Sequence, residues 1–353
     1  MIRGLYFAFI FLLAGYTYAQ QSCSQRLNRA EDLYNSGRLL EIPALIQDCF
    51  DDDDKFTEGE KIRARKLLTK VYIFTDNEPA AEIEFVALLG VDPVHELQPE
   101  DPSELKVMKN KFRTWPIYRL EGKVGGNLAL MGIEQSFSAF SAGAGEKSYD
   151  ASLGLGFQIE VDITRHWQKG IEFGAGFQFR VSKYTVLSAP DGEAGEFETD
   201  ITNSQTTLRF PIFVRYNLNY DSKTKKLIPY VFAGGSFDYL IKASYSDASR
   251  SGGTAFSIGG TDGDLIASGQ VNQSNYSVFG GIGGKLKIKK GNFIFAEARF
   301  DKSLKLYNVP NERYSNPAIT GDLQYVEDDV FLDMVSINAG FIFSVFKPEK
   351  LSK

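Results

Sequence analysis

Residues 151–163 read ASLGLGFQIEVDI. From Leu153 onward every odd position is apolar: Leu153, Leu155, Phe157, Ile159, Val161 and Ile163. The even positions carry Ser152, Gly154, Gly156, Gln158, Glu160 and Asp162. Strand side chains alternate between faces, so a period of two predicts a strand with one apolar and one polar face. Which face looks inward decides the fold. In a soluble barrel the apolar face is the core. In a barrel that spans a bilayer it faces lipid, and the polar face lines the interior.

The alternation recurs through the whole chain beyond residue 116. Strands are expected at 117–131, 151–163, 170–187, 205–219, 228–245, 276–289, 293–305 and 330–346. The fourth sets Leu208, Phe210, Ile212, Val214 and Tyr216 against Arg209, Arg215 and Asn217. The seventh sets Ile294, Ala296, Ala298 and Phe300 against Glu297, Arg299 and Asp301. Most are long enough to cross a bilayer when tilted, which takes about nine to eleven residues. Short connections (RHWQK, YDSKTKK, KKG) alternate with long ones at roughly 134–149, 188–203, 246–274 and 307–328. Short inner turns and long outer loops mark an eight-stranded outer-membrane barrel, and an even strand number returns both ends to the periplasmic side.

Three further features favour the membrane orientation over a lipocalin-like soluble barrel. The N-terminus, MIRGLYFAFIFLLAGYTYA, has one basic residue, a short apolar run and small residues before Ala19. It is expected to be a signal peptide (1–19) that exports the chain. Glycines crowd the polar faces, as at Gly174, Gly176, Gly281 and Gly283, where an eight-stranded barrel has little room. Those faces also carry both charge signs: Arg119, Glu121, Lys123, Glu160, Asp162, Glu172, Arg180, Arg209, Arg215, Asp238, Lys285, Glu297 and Arg299. Inside a narrow barrel they must pair, because an unpaired buried charge is expensive. Aromatics cluster near strand ends, among them Trp115, Tyr118, Trp167, Tyr184, Tyr216, Tyr220, Tyr239, Tyr245 and Tyr276, and several of these are expected to form interfacial girdles while others fill the interior. Tyr230 and Phe232 are expected to fill the interior.

Before residue 115 the pattern is helical. Leu27, Ala30, Leu33 and Tyr34 share a face and Gly37 ends the helix; a second helix is expected over Glu41–Phe50, and another over Ser103–Phe112. Cys23 and Cys49 flank the first hairpin, either as a disulfide or as two buried thiols. Four aspartates, 51–54, lack the glycine turn and closing glutamate of a calcium loop and are expected to be a solvated connection. The segment ARKLLTKVYIFTDNEPAAEIEFVALLGVDP (64–93) resembles one tetratricopeptide repeat, with Leu68, Tyr72, Ala81, Phe85 and Pro93 at its signature spacing, although the signature Trp and Gly are missing. Such modules bind peptides or partner proteins, although many only pack on a neighbour; the likeness makes Leu68, Tyr72 and Phe85 candidate docking residues.

The segments RLEGKVGGNLAL (119–130), LRFPIFVRYNL (208–218), IPYVFAGGSFDYLI (228–241) and SINAGFIFSV (336–345) resemble the PorT-like outer-membrane β-barrels common in Bacteroidota. The likeness covers the whole barrel, and it is specific for architecture rather than function. Some members of that family serve in protein secretion, and no catalytic residues come with the resemblance. The run through LLGVDP and FRTWP is similar to the repeat-type leader found ahead of such barrels.

Enzyme chemistry has little support. The chain has two histidines, His95 in the helical region and His166 beside an inner turn, so none lies where an outer-leaflet acyl hydrolase would need one. There is no Cys/His zinc pattern and no phosphate loop, and no cofactor or metal is expected. A net charge of −6 argues against nucleic acid. The loop SAPDGEAGEFETDITN (188–203) is acidic, while the inner turns hold Lys169, Lys223, Lys225, Lys226, Lys289 and Lys290. The expected organisation is therefore an α+β multidomain chain: a periplasmic helical domain (20–112), a monomeric outer-membrane barrel (116–347) and a short tail (348–353). The lead expectation for function is a non-enzymatic anchor or accessory subunit whose helices dock a periplasmic or outer-membrane partner. A small-solute pore and a surface enzyme acting on lipid or peptide are the alternatives.

Overall fold

A computed structural model describes residues 22–51, 55–137, 146–150, 154–189, 198–218, 226–251, 256–257, 263–323 and 325–351. The expected signal peptide, Asp52–Asp54, Tyr220, Lys223, Lys225 and the acidic-loop residues Asp191, Glu193 and Glu196 lie outside them. The chain divides into two units. One comprises residues 1–115 together with 346–353, and the other is 116–345.

In the first unit, helix α1 (Cys23–Asn35) starts at a capping box in which Ser22 and Gln25 satisfy each other's backbone N–H. It stops at Gly37, whose φ of +76° suits a residue without Cβ. The helix expected over Glu41–Phe50 is only partly α-helical. Its core, α2 (Ile42–Ile46), is five residues long and flanked by 3-10 turns at Leu39–Glu41 and Gln47–Phe50. Pro43 has no N–H to donate, so the α-ladder begins there and has no length to propagate. Cys23 and Cys49 are joined by a disulfide, with Cα atoms 5.8 Å apart. Helices α3 (Glu58–Phe74) and α4 (Glu78–Val91) form a hairpin. Thr57 and Glu60 box the start of α3, and Asn77 caps α4 ahead of Pro79. Helix α5 (Ser103–Asn110) buries Leu105 and Met108 against Ala81, Phe85 and Leu88 of α4.

The tail rejoins this unit. Arg113 donates its backbone N–H to Glu349 O (2.9 Å), Leu351 donates to Lys111 O (2.7 Å), and Phe112 bridges Lys350 in antiparallel fashion. Lys350 Nζ reaches Glu82 at 2.7 Å.

The second unit is one antiparallel sheet of β1 (Tyr118–Gln135), β2 (Glu146–Asp150), β3 (Leu155–His166), β4 (Ile171–Ala189), β5 (Glu198–Asn217), β6 (Leu227–Ser251), β7 (Phe256–Ser257), β8 (Ser274–Lys287), β9 (Phe293–Ser303) and β10 (Asp329–Val345). Eight of these close a ring in the order β1-β3-β4-β5-β6-β8-β9-β10, with β10 back on β1. The strand β2 extends the edge of β4, and β7 pairs β6. The opening stretch is decided plainly. Leu155 is 70 % exposed on β3, while Glu160 beside its outward neighbours is 2 % exposed. The apolar face is the outside of the barrel, and the polar face is its core.

Strands β4, β5 and β6 run further than the alternation alone suggested, so parts of the segments read as loops at 188–203 and 246–274 are sheet. Two irregularities in the β5–β6 pairing, after Thr206 and after Thr202, each insert a residue into β6 and reverse which parity points inward.

Candidate functional site

Among the described residues, ionisable side chains concentrate in the interior of the barrel, where they form three tiers. At the short-turn end, Lys285 Nζ donates to both Glu172 oxygens (3.0 and 3.1 Å), and Arg119 pairs with the same carboxylate. Arg215 grips Glu121 with two hydrogen bonds of 2.6 and 2.8 Å, and Thr164 adds a third. The bidentate fork is the strong form of an arginine–carboxylate pair.

In the middle tier, Lys123 Nζ sits 3.0 Å from each of Glu160, Asp162 and Glu297. Glu297 also accepts from Tyr230 (2.9 Å). Glu160 accepts from Gln178 (2.5 Å) and lies 3.4 Å from Arg299. Asp162 has no hydrogen-bond donor of good geometry, so the Lys123 ammonium is its partner. Space is tight here. A Cβ at Gly283 would come 2.5 Å from the Tyr230 ring.

In the upper tier, Asp301 gathers Arg209 (2.8 Å), Arg180 (3.1 Å) and Arg299 (2.8 Å). Arg209 also lies within hydrogen-bond distance of Asp238, Gln178, Ser236 and Ser277. The ions named in the three tiers balance, with seven carboxylates against seven cations. Asp301 was absent from the charge set drawn from the sequence, although it shares the inward face of β9 with Glu297 and Arg299. That shared parity was the signal.

Above the charges, the connection between β9 and β10 (304–328) turns into the long-loop end of the barrel. Tyr307, Ile319, Leu323 and Tyr325 pack there against Ala129, Tyr184, Leu240 and Tyr245 from the wall. Glu327 accepts from the Tyr184 hydroxyl (2.9 Å) and the Tyr245 hydroxyl (3.2 Å). Asp328 accepts from Phe137 N (2.7 Å), and Asp329 accepts from Asn308 and Arg313 (2.7 and 2.6 Å). Tyr184 and Tyr245, two of the girdle candidates, therefore belong to the interior and not to a lipid-facing girdle. Tyr184 has the inward parity of β4, and the irregularity near Thr206 turns Tyr245 inward on β6. Tyr216, Tyr239, Tyr276 and Trp167 are exposed, and Tyr230 and Phe232 are interior.

The candidate docking residues are not surface residues. Leu68 is 2 % exposed and Phe85 fully buried, and Tyr72 is half-buried between the two packed clusters of the helical unit. Signature spacing marks positions where helices pack on each other, and packing uses up the side chain. A buried polar centre of this unit is Asp101. Burial works to raise its carboxyl and is outweighed by hydrogen bonds from Lys66 (2.6 Å), Lys70 (2.7 Å) and the Gln98 N–H (2.8 Å), which hold it at about 2. Among the described residues no group of His, Cys, Asp and Glu is arranged to hold a metal ion.

A closed antiparallel ring with an apolar exterior and an ion-paired interior defines a transmembrane β-barrel. The chain belongs to the outer membrane protein beta-barrel domain family, whose model matches residues 120–305. It is thus an outer-membrane protein. Solved structures with a similar fold include Neisserial surface protein A (13 % identity, covering 64 % of this chain and 96 % of that one, TM-score 0.31). OprG from Pseudomonas aeruginosa (11 %, 65 % and 97 %, TM-score 0.34) and LpxR from Salmonella typhimurium (9 %, 65 % and 100 %, TM-score 0.23) are two others. A search of curated proteins found no match. Likeness at this level says nothing of activity or ligand.

Proposed function

We propose that the barrel is a closed, non-enzymatic anchor and that the helical unit lies in the periplasm and docks a protein partner of a secretion or assembly machine. The filled interior carries this reading. Eight strands leave an interior just wide enough for side chains. Here that space holds charge-balanced ion pairs, and the 304–328 connection packs over them. A solute pathway would have to break several of these pairs at once. The even strand number, which returns both barrel ends to the short-turn side, supports a periplasmic helical unit. The resemblance of residues 64–93 to a tetratricopeptide repeat supports a docking role.

Two measurements test this. Purified protein reconstituted in planar bilayers should give no defined conductance, and a stable open channel refutes the anchor. A mild-detergent pull-down should recover the partner with the full-length bait and lose it with a bait lacking residues 20–112. Recovery by both baits refutes docking through the helices.

A further inference from the structure

Most of the helical unit's polar surface is internally paired. Arg63 holds Glu31, Arg65 holds Glu84, and Lys66 and Lys70 hold Asp101. One groove is different. It lies between the end of α3 and α5 and has a volume of about 400 Å³. Ile73, Val107 and Met108 line its floor, and Asp76, Glu78, Glu104 and Lys111 form its rim. Lys111 is ion-paired with Glu78, which leaves the Asp76 and Glu104 carboxylates without a paired cation among the described residues. Val107 is 59 % exposed although both neighbouring apolar positions of α5, Leu105 and Met108, are buried. Valine is a poor helix former and gains nothing from water, so at this position it serves neither the helix nor the core.

An apolar floor under a carboxylate rim fits an occupant with apolar side chains below and cations at its edges. A free small molecule is a poor match. Ligand pockets enclose most of their ligand, whereas a molecule lying against the half-exposed Val107 would keep much of its own surface in water. A chain segment held by a folded partner needs cover on one side only.

We infer that this groove docks a basic, amphipathic peptide segment of a partner protein. The inference rests on the proposed docking role and names the surface and the chemistry of what it receives. Lysines or arginines of the segment meet Asp76 and Glu104, and its apolar side chains cover Val107.

The test uses the full-length protein in detergent micelles. A labelled helical peptide with Leu at i, i+3 and i+4 and Lys between is titrated by fluorescence polarisation, with empty micelles as background and a Glu-for-Lys peptide as control. The basic peptide should bind saturably, one per chain, and more weakly as salt shortens the screening length. Glu104→Lys and Val107→Asp should each weaken it at least tenfold. Both positions are exposed, so both variants should fold, and an unchanged helical circular-dichroism signal checks this. Glu96→Lys makes the same charge change outside the groove and should leave binding within twofold. Wild-type affinity in Glu104→Lys and Val107→Asp, or no saturable binding above micelles, overturns the inference. If a partner is captured in cells through the helical unit and both groove variants still capture it, the groove assignment falls while the anchor reading stands.

Discussion

Lys123→Met tests the electrostatic core directly. The substitution keeps the length of the side chain and removes its charge. In the structure one ammonium faces three carboxylates at 3.0 Å, and the three do not lose equally. Glu160 retains Gln178 and Arg299, and Glu297 retains the Tyr230 hydroxyl. Asp162, fully enclosed, loses its ion-pair partner. Breaking a buried pair from one side costs about 3–5 kcal/mol, and this variant belongs in that range. Asp162→Asn in the same chain removes the stranded charge and should recover at least half of the loss, about 1.5–2.5 kcal/mol. Unfolding in urea, with the protein in detergent, gives both numbers through tryptophan emission. Trp167 beside Phe173 at the short-turn end reports on the barrel. A loss below about 1 kcal/mol for Lys123→Met, or no recovery on adding Asp162→Asn, would refute the assignment of Asp162 to that ammonium.

Three other outcomes follow from the geometry. The Cys23–Cys49 bond closes a loop of 26 residues, so Cys49→Ser should destabilise the helical unit by about 3.5 kcal/mol on the loop-closure model, read from the helical circular-dichroism transition. Asp101→Asn should destabilise the same unit near neutral pH. Because the folded carboxyl is held at about 2, below its unfolded value, its contribution is complete above pH ~4 and disappears as pH falls towards 2. Wild-type and variant transitions should therefore converge over that interval. Tyr184→Phe removes the donor to Glu327 and the acceptor of Asn203. It should cost about 1–3 kcal/mol and expose the 304–328 connection to added protease sooner than in the wild type.

The barrel was legible in the sequence because the backbone itself imposes the period of two. Leu155, Phe157 and Ile159 announce a face without any knowledge of neighbours. Which charges meet was not legible, because that depends on register. Lys123 lies opposite Glu160 on β3, yet its third partner, Glu297, comes from β9, on the far side of β10. Tyr245 was misplaced because an inserted residue in β6 leaves no mark in composition. The packed connection at 304–328 has no period at all. Its signal was a cluster of apolar residues, Ile319, Leu323, Tyr325 and Val326, in a segment read only as a long outer loop. In the helical unit, repeat spacing located the packing positions and for that reason pointed away from the surface.

The pairing of residues 111–113 with 349–351 makes the helical unit a discontinuous domain, written at both ends of the chain with a whole barrel between. A ribosome finishes the helices long before it supplies the short segment that pairs with them. That last piece directly follows β10, the strand that closes the ring on β1. Completion of the helical unit is thereby tied to synthesis of the barrel's final strand, and a chain interrupted before β10 lacks both closures at once. An affinity tag fused directly after residue 351 would load this pairing, so an extended linker is the safer place for one.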